Sequence, residues 1–261
     1  MRQKRADPST FLRDLAGRRA VVTGAAHGIG KAIALRLADA GVEVIVIDQN
    51  GSALRSRGDR RWVQVVANMA GPDVVDLADR LLQRHGLVEL IVNNVGGASN
   101  HRFLQLEREA FDDAVNVNLR GPWFFTRRLV EALIANERSG SVLFISSLHD
   151  HVVRLLPHYS VAKAGVAMLV KELANELAPH GIRVNAISPG WVETQEADEP
   201  PTVDKRIARL IPAGRLGVPD DIARMALILL SDAWSAYVTG ANIPVDGGLG
   251  LHSWLMDLDR L

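Results

Sequence analysis

The chain has 261 residues, of which 48% are hydrophobic, and its 30 Lys+Arg balance 30 Asp+Glu. That length and balance suit a globular domain and give no electrostatic reason to expect nucleic acid or an acidic membrane surface as a partner. The lack of cysteine excludes disulfides, thiolate catalysis and cysteine-ligated metals.

Residues 1–16 read as a polar N-terminal extension with no apolar signal core, and no apolar run reaches the ~18–20 residues of a membrane span. The cytoplasm is therefore the expected location. Residues 17–261 read as one domain. Apolar runs rich in Val and Ile fall at 19–23, 42–47, 62–67, 87–93, 141–146, 182–188 and 242–245. Helical patterns fall between them at 28–40, 72–85, 107–136, 158–179 and 219–230. Strands alternating with helices imply parallel βαβ units. Strands apolar on both faces imply a sheet covered on both sides. The expected fold class is α/β, a single-domain Rossmann-like doubly wound parallel sheet with helices on both faces. Residues 190–212 form a long irregular stretch, expected to be a substrate lid. Its Glu193, Glu196, Asp198 and Glu199 argue mildly against an anionic substrate, although a solvated surface explains them as well.

The first predicted strand runs into Thr23-Gly24-Ala25-Ala26-His27-Gly28-Ile29-Gly30, and a helical pattern starts at once. Glycines between a first strand and a first helix let the backbone approach a pyrophosphate, which the free N–H groups of the helix N-terminus attract. Asp48 ends the second strand, about 20 residues further on, where a carboxylate can accept both adenosine ribose hydroxyls and repel a 2′-phosphate. NAD is therefore the expected cofactor. The competing reading is that Asp48 only opens a turn, and a protonated His27 would tolerate the phosphate.

Tyr159 and Lys163 stand four apart at the start of a helical pattern and so share a face. Lowering a phenol from a pKa of about 10 to about 7 takes ~4 kcal/mol. One positive charge at ~4 Å in an effective dielectric of ~20 supplies about that much. The pair is a candidate acid/base near neutral pH.

In order along the chain, these motifs resemble the classical short-chain dehydrogenase/reductase family. The resemblance spans roughly residues 15–248. It rests on the glycine turn, Asn93-Asn94-Val95-Gly96, Asn118-Leu119-Arg120-Gly121, Ile145-Ser146-Ser147, the Tyr–Lys pair, Arg183-Val184-Asn185, Pro189-Gly190, Thr194, Gly214-Arg215-Leu216-Gly217 and Asp246-Gly247-Gly248. It implies Tyr159 as general acid/base, and Lys163 as the group that lowers its pKa and binds the nicotinamide ribose. Asn118 is implied as the anchor of a proton-passing water. A Ser would hold the substrate oxygen. The family's Ser-to-Tyr spacing lands on Ser146, whereas the strand-end pattern favours Ser147; neighbours on a strand face opposite sides, so one of them fits. Ser147 is the choice. The cofactor set implied is Gly24, His27, Gly28, Ile29, Gly30, Asp48, Asn68, Asn94, Gly96, Tyr159, Lys163, Pro189, Gly190, Val192 and Thr194. Asn68 replaces the family's usual Asp at the adenine, where an amide oxygen can accept the same bond.

Between the Ser pair and Tyr159 lie His149, Asp150, His151 and His158, a run similar to that of the family's sugar dehydrogenases. His149, His151, His158 and Trp191 are the tentative substrate residues, and no metal is implied. The helix from Tyr159 carries apolar residues over more than one stripe, and the resemblance implies a homotetramer or dimer packed through it. The expected function is NAD(H)-dependent hydride transfer between a secondary alcohol and a ketone, possibly of a polyol, sugar or cyclic alcohol, running from alcohol to ketone. The alternatives are an NADP-dependent ketoreductase and a non-catalytic dinucleotide sensor.

Overall fold

A computed structural model describes residues 12–57, 59, 61–97, 99–194 and 205–251. Seven parallel strands form one sheet: β1 (Arg19–Thr23), β2 (Glu43–Asp48), β3 (Val63–Val66), β4 (Leu90–Asn93), β5 (Gly140–Ile145), β6 (Ile182–Pro189) and β7 (Asn242–Val245). Their order is β3-β2-β1-β4-β5-β6-β7. β1, β4, β5 and β6 are almost wholly buried, and most of their residues are apolar. A parallel strand covered on both sides has no wet face to alternate toward.

The helices are α1 (Gly28–Asp39), α2 (Gly51–Arg57), α3 (Val74–His85), α4 (Arg108–Val115), α5 (Gly121–Ala135), α6 (Pro157–Leu177), α7 (Pro219–Leu230) and α8 (Asp232–Ser235). One core cluster packs α1 and α7 against the sheet through Ile33, Leu37, Ile222 and Leu230. The other packs α3, α5 and α6 on the opposite face through Leu77, Phe125, Leu129 and Val166. The sheet order reverses between β1 and β4, so the connections that follow these two strands leave a crevice at the strands' C-terminal ends.

Three expectations need correction. The pattern at 107–136 is not one uniform α-helix: a π-helical turn, Asn116–Arg120, separates α4 from α5. The Asn118 side chain supplies a cause. Its Nδ2 donates to Ala114 O at 2.8 Å, the acceptor that the α-helical ladder gives to Asn118's own N–H. The polar extension also ends earlier than residue 16. Leu15 is fully buried in the core, and Asp14 accepts bonds from Ser231 Oγ, Asp232 N and Ala233 N, capping α8. A polar average over 1–16 hides one buried leucine and one capping carboxylate. Finally, the stretch 190–212 is not irregular throughout. Val192 bridges to Gly217, and Lys205–Leu210 is a 3₁₀ helix. Glu196, Asp198 and Glu199 lie outside the described residues.

Candidate active site

The crevice holds a cleft of about 530 Å³ lined, among others, by Gly24, His27, Gly28, Ile29, Asp48, Asn68, Asn94, Val95, Gly96, both Ser146 and Ser147, Tyr159, Lys163, Pro189, Gly190, Val192 and Thr194. Gly28 has φ +56°, which disfavours any residue with a Cβ. Gly30 does not line the cleft. A Cβ there would lie 2.2 Å from Gly24 O, so this glycine lets α1 approach the turn. His27 is the N-cap of α1 with no side-chain cap bond, which leaves first-turn N–H groups for an anion. Asn94 Nδ2 donates to Thr23 O and Gly24 O, both at 2.9 Å, and so fixes the turn as well as lining the cleft.

Asp48 is nearly buried and does open a turn: Oδ1 accepts from Asn50 N at 2.9 Å, and Oδ2 from Ala26 N at 3.0 Å. A carboxylate has about four acceptor positions, so both readings of this residue hold together: it fixes the β2 and glycine turns and keeps lone pairs for the cleft. Asn68 Oδ1 accepts from Ala70 N at 2.9 Å, which orients its amide. Glycines at a helix N-terminus, a carboxylate at the end of β2 and a long cleft across the switch point fit a dinucleotide.

At the inner end of the cleft, the two serines part. Ser146 Oγ turns to the buried Asp150, 2.9 Å from its Oδ2. Ser147 faces the cleft beside Tyr159, whose pKa it pulls down, and accepts from His149 N at 3.3 Å. Asp150 is a hub. It also takes Ser188 Oγ at 2.6 Å, Asn242 Nδ2 at 2.7 Å and His151 Nδ1. Burial pushes its carboxyl up, but the bonds from Ser188, His151, Asn242 and Ser146 outweigh that and hold it below the usual range.

Lys163 is buried, its Nζ donating to Ile145 O at 2.9 Å and lying 5.5 Å from the centre of the Tyr159 ring. Burial lowers its pKa to about 8, against a smaller upward pull from Asp150. Burial pushes Tyr159 up, Ser147 pulls it down and Asp150 raises it further. With a pKa of about 8 the Lys163 ammonium stays mostly charged at neutral pH and is lost above it.

Asn118 is buried in the π-helical turn. Its Nδ2 also donates to Gly97 O at 2.6 Å, and its Oδ1 accepts from Gly97 N at 3.2 Å. A Cβ on Gly96 would stand 2.7 Å from Asn118 Oδ1 and 3.1 Å from Lys163 Nζ, so both side chains converge on that glycine. The fold thus brings Ser147, Tyr159, Lys163 and Asn118 to one end of the cleft.

Beyond Tyr159 opens a cavity of about 890 Å³, lined by Ser147, His149, His151, Val153, Arg154, Tyr159, Trp191 and Leu210 among others. His149 and His151 reach it as expected, and His149 stands edge-on to Tyr159 with ring centres 5.0 Å apart. Burial lowers the pKa of His149, helped by Arg154. Trp191 forms a wall, with the Arg154 guanidinium 4.5 Å above its ring. His158 lines neither space. It is buried at the start of α6 and its Nε2 bonds Ser99 O at 3.0 Å, so it ties a loop to the helix. Helical position N-terminal to Tyr159 turns it inward, away from the substrate side. Glu193 does not line the cavity either. The sequence reading passed over Arg154, although a lone charge inside the apolar run Val152-Val153-Arg154-Leu155-Leu156 is a signal in itself.

The model of a family described as "Enoyl-(Acyl carrier protein) reductase" matches residues 24–250. The chain is 36% identical to the 3-oxoacyl-[acyl-carrier-protein] reductase FabG of Thermotoga maritima over 90% of this chain and 98% of that one. It is 34% identical to the L-rhamnose 1-dehydrogenase (NAD(P)(+)) of Azotobacter vinelandii over 88% of this chain and 95% of that one. A crystal structure of a short-chain type dehydrogenase/reductase from Mycobacterium marinum superposes with a TM-score of 0.84 at 31% identity, covering 92% of this chain and 98% of that one.

Proposed function

The chain belongs to the short-chain dehydrogenase/reductase family, and we propose that it is an NAD(H)-dependent oxidoreductase that interconverts a secondary alcohol and a ketone, with Tyr159 as general acid/base. The observation that carries this reading is the meeting of Ser147, Tyr159 and Lys163 at the junction of the dinucleotide-shaped cleft and the second cavity.

The nicotinamide supplies the hydride acceptor or donor. Gly24, Gly28 and the α1 N-terminus would hold the pyrophosphate, Asp48 the adenosine ribose, and Val192 and Thr194 the nicotinamide end. Ser147 holds the substrate oxygen. Tyr159 gives that oxygen a proton or takes one from it, over hydrogen-bond range. Lys163 sits next to the phenol, and Asn118 lies beyond it on the side of Gly96 and Gly97, so these two form the exit for the proton. Because burial raises Tyr159, the free chain holds the phenol protonated at neutral pH. Oxidation of an alcohol, which needs the phenolate, should therefore speed up as pH rises; reduction of a ketone should not.

Asp48 supports NAD over NADP. The second reading, an NADP-dependent ketoreductase, draws on His27 in the same cleft and on the two acceptor positions that Asp48 already uses. Absorbance at 340 nm over an alcohol and ketone panel, with both cofactors and with Tyr159→Phe alongside, tests all of this. NAD binding with no turnover of any panel member would favour a sensor. A clear NADP preference would overturn the reading of Asp48.

The proposal includes a lid at 190–212 and self-association as a tetramer or dimer. Phe111, Trp123, Val161 and Met168, on α4, α5 and α6, are all at least 40% exposed, a stripe of apolar surface that a second copy would cover. A ~28 kDa species in light scattering at micromolar concentration would refute association.

A further inference from the structure

The cavity beside Tyr159 has a one-sided charge. Among the described residues its lining holds Arg154, His149 and His151, and no carboxylate and no lysine. Asp150 lies behind the wall, with its side chain 2% exposed. As an ionised carboxylate it can only accept, so the proton it shares with His151 sits on Nδ1, and Nε2 is the nitrogen left for the cavity.

Arg154 is the unusual member. Its guanidinium carbon stands over Trp191, 4.5 Å from the ring centre, and among the described residues no carboxylate or carbonyl accepts from it. Stacking uses the face of the guanidinium and leaves its N–H edges free. Some other arginines of this chain are held by carboxylates, Arg36 by Asp220, Arg61 by Asp39 and Asp59, and Arg215 by Asp221; Arg154 is held by an aromatic ring. The backbone beside Arg154 is also special, since Leu155 has φ +59°, a left-handed conformation that a leucine rarely adopts. An aromatic wall and a strained neighbour thus hold a fork-shaped cation, with no carboxylate partner among the described residues, at the mouth of the site.

We infer that the substrate carries a carboxylate, which the free edge of Arg154 binds while Ser147 and Tyr159 hold its reacting oxygen: a hydroxy acid or oxo acid, with His151 Nε2 facing a further hydroxyl. A planar guanidinium matches a carboxylate in a two-point fork. One arginine without lysine matches a monoanion better than a phosphate dianion. This substrate class rests on the oxidoreductase reading above. Of the acidic residues after Trp191, Glu193 is described and does not line the cavity; Glu196, Asp198 and Glu199 lie outside the described residues.

The test compares matched pairs that differ in charge alone at one end: a hexonate against the corresponding hexitol, and 3-hydroxybutyrate against its amide. Each is assayed at 340 nm with the full chain and the preferred cofactor. The expected result is a kcat/KM at least tenfold higher for the acid in one pair. In Arg154→Met that ratio collapses toward one, the loss falling on KM, and Arg154→Lys recovers part of it. Equal turnover of both members by the wild type, or a Met variant that lowers acid and neutral substrate by the same factor, overturns the inference. Turnover of neutral alcohols without preference for any acid sinks the inference and leaves the oxidoreductase reading standing. Failure of every alcohol, acid and ketone with cofactor bound removes both.

Discussion

The cofactor cleft and the cavity beyond it share Tyr159 and Ser147, yet they are built by different means. The cleft is made of backbone: glycine turns, strand ends and a helix N-terminus at a sheet's switch point. The cavity is made of side chains on the connections after β5 and β6, aimed by a buried carboxylate and a stacked arginine. Backbone geometry is inherited from the sheet and accepts one class of ligand. Side-chain geometry is local and sets which alcohol or ketone is taken.

The sharpest break in this comparison is Tyr159→Phe. It should lower turnover by about 10³–10⁴-fold while cofactor binding, followed by reduced-cofactor fluorescence, stays within a few-fold; loss of binding as well would mean that cleft and cavity are not separable. Next, Ser147→Ala should cost about 10²–10³-fold in kcat. Ser146→Ala should instead lower stability by about 1 kcal/mol, because it removes one donor from buried Asp150. If the Ser146 variant lost more activity than the Ser147 variant, the assignment would be inverted.

Lys163 gives a third effect, on stability. Its folded pKa, about 8, lies below the ordinary lysine value of 10.5. Between those values the folded chain binds fewer protons than the unfolded one, so stability rises with pH across the window. Urea unfolding should show a gain of about 2–3 kcal/mol from pH 8 to 10 that is absent in Lys163→Met. The comparison stops at 10, because the raised Tyr159 contributes with the opposite sign above its unfolded value. A flat wild-type profile would remove the buried ammonium from the argument. Asp48→Ala should then narrow the NAD:NADP preference about tenfold, and its two orphaned N–H groups should cost about 1–2 kcal/mol. The smallest effect is at the cavity rim. Leu155→Gly relieves a left-handed leucine at ~1–2 kcal/mol but adds unfolded-state freedom of ~0.5–1 kcal/mol, so the melting temperature should hold or rise slightly. A clear fall would show that the leucine side chain, not the backbone, shapes the rim.

The same division decides what could be read from the sequence. The sheet was legible because its inner strands are short apolar runs, and the cleft because Gly24 to Gly30 and Asp48 lie within one βαβ unit. α2 was missed: with Ser52, Arg55, Ser56 and Arg57 among its seven residues, it has no apolar period. The π-helical turn was missed because one asparagine bonding back to Ala114 leaves no mark on periodicity. The choice of Ser147 followed from the strand-end pattern, and alternation said only that one serine fits; what holds the Ser146 hydroxyl is Asp150, whose other partners Ser188 and Asn242 are 38 and 92 residues distant. Contacts that far apart cannot be counted off a single chain. His158 failed for a related reason: a histidine beside a candidate tyrosine reads as a site residue until the helix turns it inward.

Asp14 carries a last consequence. Its bonds to Ser231, Asp232 and Ala233 join residues 217 to 219 positions apart. A ribosome releases the early segment long before its partner exists. At ~5–20 residues per second, Asp14 and Leu15 wait ten seconds or more, on the order of the whole synthesis time, before α8 emerges. The first described residues of this protein are therefore among the last to settle, and a truncation at residue 17 should be felt at the far end of the chain.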